Sequence, residues 1–500
     1  MSTTTKTSHP KGLYTLFVTE MWERYSYYGM RALLTLFLVA ELVNGGFGMT
    51  RAEAFAIYGV FTGLVYVTPI IGGYLADAVL GERKAIYIGA FVMAAGQFTM
   101  AYSATLDGGT DAGVFALYSG LSLLIIGNGF FKPNISTIVG GLYEADDPRK
   151  DGAFTIFYMG INLGAFIAPL TAGAVGTAYG WEYGFSMAGV GMLLGAFWFF
   201  FRRETLLNVG LPTRCDVQPE CQFLNKKDWF DIVLYTIIAV ALSVGIVVFI
   251  DAVTESTLDV IIKIIGALVV IGIGTAIAKG TSGRTEWSRV SVIFILAIFN
   301  IVFWSGFEQA GSTFNLFAEE QTNRMLFGWE IPTTAFQSIN AIAIFIIAPI
   351  FDVMWGKLTR IGKNPPTPLK FAGGLIMLAA GFFVMSAAAS AATGGNLVSP
   401  LWLVAVYLVH TLGELMISPI GLSMITKLSP TKIVSIMMGL WMGSIAIGNY
   451  LAAAMESIAH SWGFEQGAPM FRFIAIQALI AAAVAIVLTP IIKRMMKGIH

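Results

Sequence analysis

Residues Glu20 to Arg31 read E-M-W-E-R-Y-S-Y-Y-G-M-R, inside a run otherwise long and apolar enough to cross a bilayer. Glu20, Glu23, Arg24, Tyr27, Tyr28 and Arg31 recur at i, i+3, i+4, i+7, i+8 and i+11, which puts them on one helical face. Met21, Trp22, Gly29 and Met30 fall elsewhere around the helix. An unpaired charge at the centre of a membrane helix costs roughly 3 kcal/mol on insertion scales. A face with two carboxylates and two guanidiniums cannot touch lipid, so the stripe points into protein or into a wet cavity. Two readings stand at this stretch: a salt-bridge stripe that locks helices together, or a path for protons or a polar substrate.

Composition places the stripe in its setting. The chain has 500 residues, 56% of them hydrophobic and 12% charged, with mean hydropathy +0.74. A soluble chain is about 25% charged. An all-α integral membrane protein is expected, because the apolar runs are too long for the roughly 10-residue strands of an outer-membrane barrel. The net charge of zero argues against nucleic acid as a partner. Cys215 and Cys221 share one polar loop that the charge bias places in the cytoplasm, where disulfides are rare, and they are read as incidental. No cleavable signal peptide is expected.

Runs of spanning length begin at about 14, 53, 84, 112, 152 and 183, then about 228 and 258, then about 289, 330, 369, 400, 432 and 469. Fourteen transmembrane helices in a six, two, six order follow. With a cytoplasmic N-terminus, most Lys and Arg fall on cytoplasmic segments. Only Arg51, Lys263, Arg324 and Arg472 lie outside, and Arg24, Arg31 and Lys132 lie within spans. A missed helix would invert this bias from that point onward, and no inversion occurs. Both termini are therefore expected inside. The expected domains are an N-terminal six-helix bundle at 1–203, a linker with two extra central helices at 204–285, and a C-terminal six-helix bundle at 286–500. The central pair has no charge at helix centre and reads as lipid-facing and peripheral. The flanking sets suggest a duplicated bundle, with a site at mid-membrane.

Further polar residues interrupt the spans. Lys132 sits in G-N-G-F-F-K-P-N and needs a carboxylate partner or water, while Pro133 removes a backbone donor and kinks the helix. Asn162 lies between Gly160 and Gly164, which permit close helix approach. Trp304 and Glu308 stand four apart in W-S-G-F-E-Q, and an intramembrane Glu is a proton-carrier candidate. Arg31 is the natural partner for Glu308 if the two halves face each other. Asn340 follows, then Glu414 in H-T-L-G-E-L-M-I-S-P with His410 one turn away and Ser418 beyond it, and Trp441 after Gly439. Only His410 among the four histidines falls in a span, so carboxylates are the better proton carriers. No nucleophile–base or metal constellation is found in the spans, which argues against an intramembrane enzyme and against a metal site.

With these residues assembled, the chain resembles the proton-dependent oligopeptide transporter family of the major facilitator superfamily, in its bacterial branch. The carrying motifs are E-x-x-E-R-Y-x-Y-Y-G-M-R at Glu20–Arg31, K-P-N at Lys132–Asn134, F-Y-x-x-I-N-x-G at Phe157–Gly164, W-x-x-F-E-Q at Trp304–Gln309 and G-E-L-x-x-S-P at Gly413–Pro419. The loop Gly72–Lys84, with Asp77, Gly81 and Arg83, resembles the superfamily motif thought to clamp neighbouring helices in one conformational state.

The resemblance implies a major facilitator fold and proton-coupled import of di- and tripeptides by alternating access, with no cofactor, in the bacterial inner membrane. It assigns proton coupling to Glu20, Glu23, Arg24, Arg31 and Glu308. It puts Arg24 and Lys132 on the peptide carboxylate, and Glu414 with Asn162 and Asn340 on the free amino terminus. Tyr27, Tyr28, Arg31 and Tyr66 line the cavity, Trp304 and Trp441 wall side-chain pockets, and Ser418 joins the binding set. Animal members carry a functional His on the second helix. Matching Y-V-T-P-I at Tyr66–Ile70 puts Gly59 at that position, so a coupling scheme needing that His is excluded here. The rival readings are a proton-coupled transporter of the same fold for another small anion or amino-acid derivative, and a peptide sensor without transport.

Overall fold

The computed structural model describes residues 8–144, 147, 149–211, 224–252, 255–326 and 328–498. Cys215 and Cys221 lie outside the described residues. The chain is helical nearly throughout, as its long apolar runs require. The helices are α1 (Lys11–Val39), α2 (Arg51–Leu75), α3 (Glu82–Ser103), α4 (Asp111–Gly141), α5 (Lys150–Ala168) and α6 (Trp181–Phe201). Next come α7 (Lys226–Ala252) and α8 (Glu255–Gly280). The last set is α9 (Gly283–Phe307), α10 (Ser338–Arg360), α11 (Thr367–Ala391), α12 (Leu401–Leu428), α13 (Val434–Ser461) and α14 (Ala468–Met495). A π turn at Pro169–Gly173 carries α5 on to Ala174–Tyr179. A 3-10 turn at Glu308–Gly311 carries α9 on to Thr313–Glu320. Twelve of the described helices are long and apolar enough to span a membrane. The stripe-bearing α1 and the partly described α8 complete the fourteen.

The residues group into two compact units, Met1–Met49 with Val67–Val248, and Thr50–Tyr66 with Phe249–His500. In the first unit, glycines decide how closely helices approach. On α3, Gly89 lies against the Gly127 carbonyl of α4, and Gly96 faces Gly120 and Leu124. On α6, Gly191 receives the ring of Tyr25 and Gly195 lies against the Trp22 β-carbon and the Thr19 carbonyl, and Gly29 of α1 meets Ala172. This buries one side of α1 against α5 and α6 and leaves its charged face to α4. Gln97 of α3 ties the same helix by donating to the Ser26 carbonyl (3.0 Å) and hydroxyl (3.1 Å).

Pro133 inside α4 cannot donate to the carbonyl of Gly129, one turn earlier. The backbone of Gly72 on α2 comes up against that carbonyl, where a Cβ would collide with it. The freed carbonyl thus lies at a close approach of the α2 and α4 backbones.

The second unit includes the start of α2. Gly59 sits directly against Ala453 of α13, and the Tyr58 hydroxyl lies over Gly311. Arg51 pairs with Glu320 at 2.9 Å and Glu456 at 3.4 Å. Along α2, period 3.6 marks an apolar helix but not which neighbour each half takes, so this division is invisible in the sequence.

The central pair adds one feature to its lipid-facing reading. Val233, Ile237, Leu242 and Val248 of α7 are exposed, as expected. Its first turn, however, carries a charged foot. Lys84 of α3, 5% exposed, reaches Asp228 (3.4 Å) and Asp231 (3.1 Å), and Asp228 is fully buried. Trp229 packs on Tyr87 and Phe200.

Candidate functional site

The stripe on α1 meets α4 in one buried cluster. Glu23 receives both Nε and a terminal nitrogen of the Arg24 guanidinium, a bidentate grip. Arg24 Nε lies 3.5 Å from Glu20, and the Lys132 ammonium of α4 pairs directly with Glu20. Asn128, one turn before Lys132, donates to Glu23 at 3.4 Å. Glu20 and Glu23 are fully buried and Arg24 is 7% exposed. Two acids and two bases balance, which is the condition under which such charges survive out of water. One atom is left over: Glu20 Oε2 is buried with no hydrogen-bond partner.

The stripe continues with aromatic cover. The Arg24 guanidinium sits over the Tyr27 ring at 4.9 Å and Arg31 over the Tyr28 ring at 5.6 Å. Tyr27 and Tyr28 meet edge to face at 5.2 Å. Both geometries keep a cation on an apolar face at modest desolvation. Asn162 of α5 donates to the Tyr158 carbonyl of its own helix (3.0 Å).

Behind α1, on the side away from the stripe, lies a crevice of about 730 Å³ lined by Trp22, Tyr25, Tyr183, Met187 and Val190. It is no part of the charged cluster.

The second unit holds the remaining candidates. Asn340 of α10 donates to Glu414 of α12 (2.8 Å) and to the Thr411 hydroxyl (3.0 Å), and Thr411 donates back to the Tyr407 carbonyl (2.7 Å). Glu414 is 8% exposed. Ser418, one turn further and just before Pro419, has a buried hydroxyl with no hydrogen-bond partner. Tyr66, at the edge of this unit, is half-buried against its apolar core.

Glu308 stands where α9 breaks. Gln309 fixes that break: its amide donates to the Ala452 carbonyl of α13 (2.8 Å), and its oxygen accepts from Thr313 (2.6 Å). Trp304, one turn before Glu308, donates its indole N–H to Asn300 (3.1 Å). Trp441 is almost fully buried, with Gly421 beneath its ring and Phe371 beside it at 6.2 Å.

Of the loop residues, Gly81 takes φ +77°, a left-handed conformation that suits glycine, between α2 and α3. Arg83 is buried and donates to the carbonyls of Leu207 (2.5 Å) and Val209 (2.7 Å) in the segment after α6. Asp77 begins the same turn, and its side chain is outside the described set.

Sequence reasoning missed Asn128, Thr411 and Asn300, and named Gln309 only within a motif. The three missed residues carried a usable signal. Asn128 precedes Lys132 by four residues and Asn300 precedes Trp304 by four, while Thr411 precedes Glu414 by three, so each shares a helical face with a chosen residue. Among the described residues no cluster of His, Cys, Asp and Glu is placed to hold a metal ion.

Comparison with known proteins identifies this architecture. A profile described as the POT family matches residues 83–468. The chain is 38% identical to the peptide transporter YePEPT of Yersinia enterocolitica over 98% of its own length and 96% of that protein. It is 33% identical to dipeptide and tripeptide permease A of Escherichia coli over 89% of its length and 84% of that protein. Among solved structures it resembles a peptide transporter POT in complex with alafosfalin, with TM-score 0.82, 35% identity and coverage of 99% and 97%. The fourteen-helix arrangement of two six-helix bundles and a central pair is thus a transporter fold, and the chain belongs to the POT family.

Proposed function

We propose that the protein is a proton-coupled symporter that imports di- and tripeptides by alternating access across the bacterial inner membrane, with both termini in the cytoplasm. A peptide is a zwitterion of variable length. It needs a cation at one end, an anion at the other and a loosely specific middle. The first unit offers Arg24, Arg31 and Lys132, and the second offers the Asn340–Glu414 pair. In this reading Arg24 and Lys132 take the carboxylate. Glu414, with Asn340 and Asn162, takes the amino group. Tyr27, Tyr28, Tyr66, Ser418, Trp304 and Trp441 serve the middle. The division at 1–203, 204–285 and 286–500 belongs to the same reading.

The observation that carries proton coupling is the Glu20 carboxylate, buried against Lys132 and Arg24 with one oxygen unpartnered. A proton on that oxygen would release Lys132 for an arriving carboxylate, and loss of the peptide would let the ion pair re-form. Glu308 is the second carrier, and its place at a helix break suits a group that changes surroundings. Asp77, Gly81 and Arg83 act in the conformational change. One elementary charge moved down 100 mV supplies about 2.3 kcal/mol before any pH gradient is added.

The test is uptake of labelled dialanine into proteoliposomes under an inward proton gradient, for the unmodified protein and for Glu308→Gln. Accumulation in the first with only peptide exchange in the second supports the reading. Full accumulation in Glu308→Gln moves the proton site to Glu20, Glu23 or Glu414. No accumulation by folded unmodified protein removes the dipeptide reading. A second reading, transport of another amino-acid derivative, is favoured by one observation. A solved POT family transporter in complex with 5-aminolevulinic acid matches this chain at 29% identity and TM-score 0.81, covering 97% of this chain and 98% of that one. Uptake of that compound but not of dialanine would select it.

A further inference from the structure

Two helical pairs interlock inside the second unit. On α9, Asn300 and Trp304 stand four residues apart, and on α13 so do Ser444 and Gly448. Gly448 lets the helices approach until its missing Cβ would fall 2.7 Å from the Trp304 Cβ. Asn300 is fully buried and Ser444 is 3% exposed. The Trp304 indole donates to Asn300 Oδ1 (3.1 Å), Asn300 Nδ2 donates to Ser444 Oγ (2.8 Å), and Ser444 Oγ donates to the Trp441 carbonyl (2.6 Å).

The chemistry gives this chain of bonds one sense only. An indole N–H is a donor and nothing else, so the oxygen of the Asn300 amide must face it. The amide NH₂ is thereby turned to Ser444, whose oxygen must accept. The Ser444 proton then has to go elsewhere, and the Trp441 carbonyl is where it goes. A flipped amide would set donor against donor at Trp304 in a buried site. The indole therefore has a defined orientation, fixed from behind by two residues that belong to neither wall.

We propose that Asn300, backed by Ser444, is a positioning residue that holds the Trp304 indole in place and so sets which peptide side chains the transporter accepts. This rests on the reading of Trp304 as a wall of the side-chain pocket. Its partner is the side chain of the transported peptide, and the effect falls on selectivity rather than on coupling. Asn300→Leu keeps the volume close but strips the indole of its acceptor and Ser444 of its donor. Ser444→Ala keeps the indole bond and loosens its anchor. Trp304→Phe keeps an aromatic wall with no N–H to orient.

The experiment is competition against labelled dialanine uptake in proteoliposomes by unlabelled dialanine and by phenylalanyl-alanine, for the unmodified protein, the three single variants and Asn300→Leu/Trp304→Phe. The expected result is a change of about fivefold in the ratio of the two apparent affinities in Asn300→Leu, the worth of one buried hydrogen bond. A change of about twofold is expected in Ser444→Ala. The maximal rate with dialanine should stay near that of the unmodified protein in Asn300→Leu and Ser444→Ala. In the Trp304→Phe background, Asn300→Leu should add no further change in the ratio. An unchanged ratio in Asn300→Leu, or a full effect of Asn300→Leu in the Trp304→Phe background, overturns the proposal. If Asn300→Leu does not fold, an unchanged ratio in Ser444→Ala overturns it. Unmodified protein that binds neither peptide overturns instead the substrate reading beneath it.

Discussion

Lys132 of α4 holds one oxygen of the Glu20 carboxylate on α1, and the other oxygen is buried with no hydrogen-bond partner. Glu20 is fully buried, whereas the Lys132 side chain is 29% exposed. The pair is therefore open on the cation's side and closed on the anion's side. A ligand carboxylate can reach Lys132, while Glu20 can be relieved only by a proton.

Glu20→Gln should separate the two roles of this pair. An amide keeps the shape but leaves Lys132 facing no anion. Breaking a buried pair costs about 3–5 kcal/mol, and the exposure of Lys132 puts this case at the low end. A lower thermal unfolding midpoint in detergent is expected, together with loss of gradient-driven accumulation and retention of peptide exchange. Glu20→Gln with Lys132→Gln should recover most of the stability and none of the accumulation. A double variant that accumulates dialanine normally would remove this cluster from coupling.

Asn340 is the group that orients Glu414, through a 2.8 Å bond and a second bond to Thr411 at 3.0 Å. Asn340→Ala should raise the apparent KM for dialanine about tenfold, the loss expected for a hydrogen bond to a charged group. An N-acetylated dipeptide lacks the amine these residues are proposed to read. Its weaker binding should be the same with and without Asn340. Equal losses for both peptides would place the amino terminus elsewhere.

The stripe on α1 was fully legible, because helical spacing alone puts Glu20 through Arg31 on one face. That Lys132 needs a carboxylate was legible too, since a bare cation in a span is expensive. That the carboxylate is Glu20 was not, because periodicity places a residue on a face without naming the helix opposite. The same limit hid the Asn340–Glu414 bond, whose members lie 74 residues apart. The central pair was read from its uncharged middle, and so its charged first turn was overlooked. Gln309 was visible as part of a motif but not as the fastener of a helix break, because its bonds run to backbone carbonyls and hydroxyls that carry no sequence signal.

The foot of α7 gives a prediction about stability without substrate. Lys84 sits between Asp228 and Asp231, and Asp228 has no exposure at all. Lys84→Ala would strand a buried carboxylate and should destabilise by about 3 kcal/mol. Asp231→Asn, at a partly exposed site, should cost under about 1 kcal/mol. Both are read from thermal unfolding in detergent. The apparent KM for dialanine should be unchanged in Asp231→Asn. Equal destabilisation by the two variants would mean that Asp228 is not held by Lys84.

Gly59 of α2 decides whether a histidine-based coupling scheme has room in this chain. A Cβ at Gly59 would fall on the Ala453 Cβ of α13, with the Asn449 carbonyl at 3.4 Å and the Tyr450 Cα at 3.5 Å. The obstacles are backbone and a β-carbon, neither of which can swing aside. Gly59→Ala should therefore destabilise by about 1–3 kcal/mol, the range for overpacking. Gly59→Ala with Ala453→Gly should restore most of the loss, since the clash is between two specific carbons. Gly59→His should fail more severely and should not be rescued by Ala453→Gly alone, because an imidazole needs more than one methyl of space. An unchanged unfolding midpoint in Gly59→Ala would show that α2 and α13 separate readily there. The position to which the resemblance to animal members assigns a histidine is thus closed here by packing, which is why the proposed coupling rests on carboxylates.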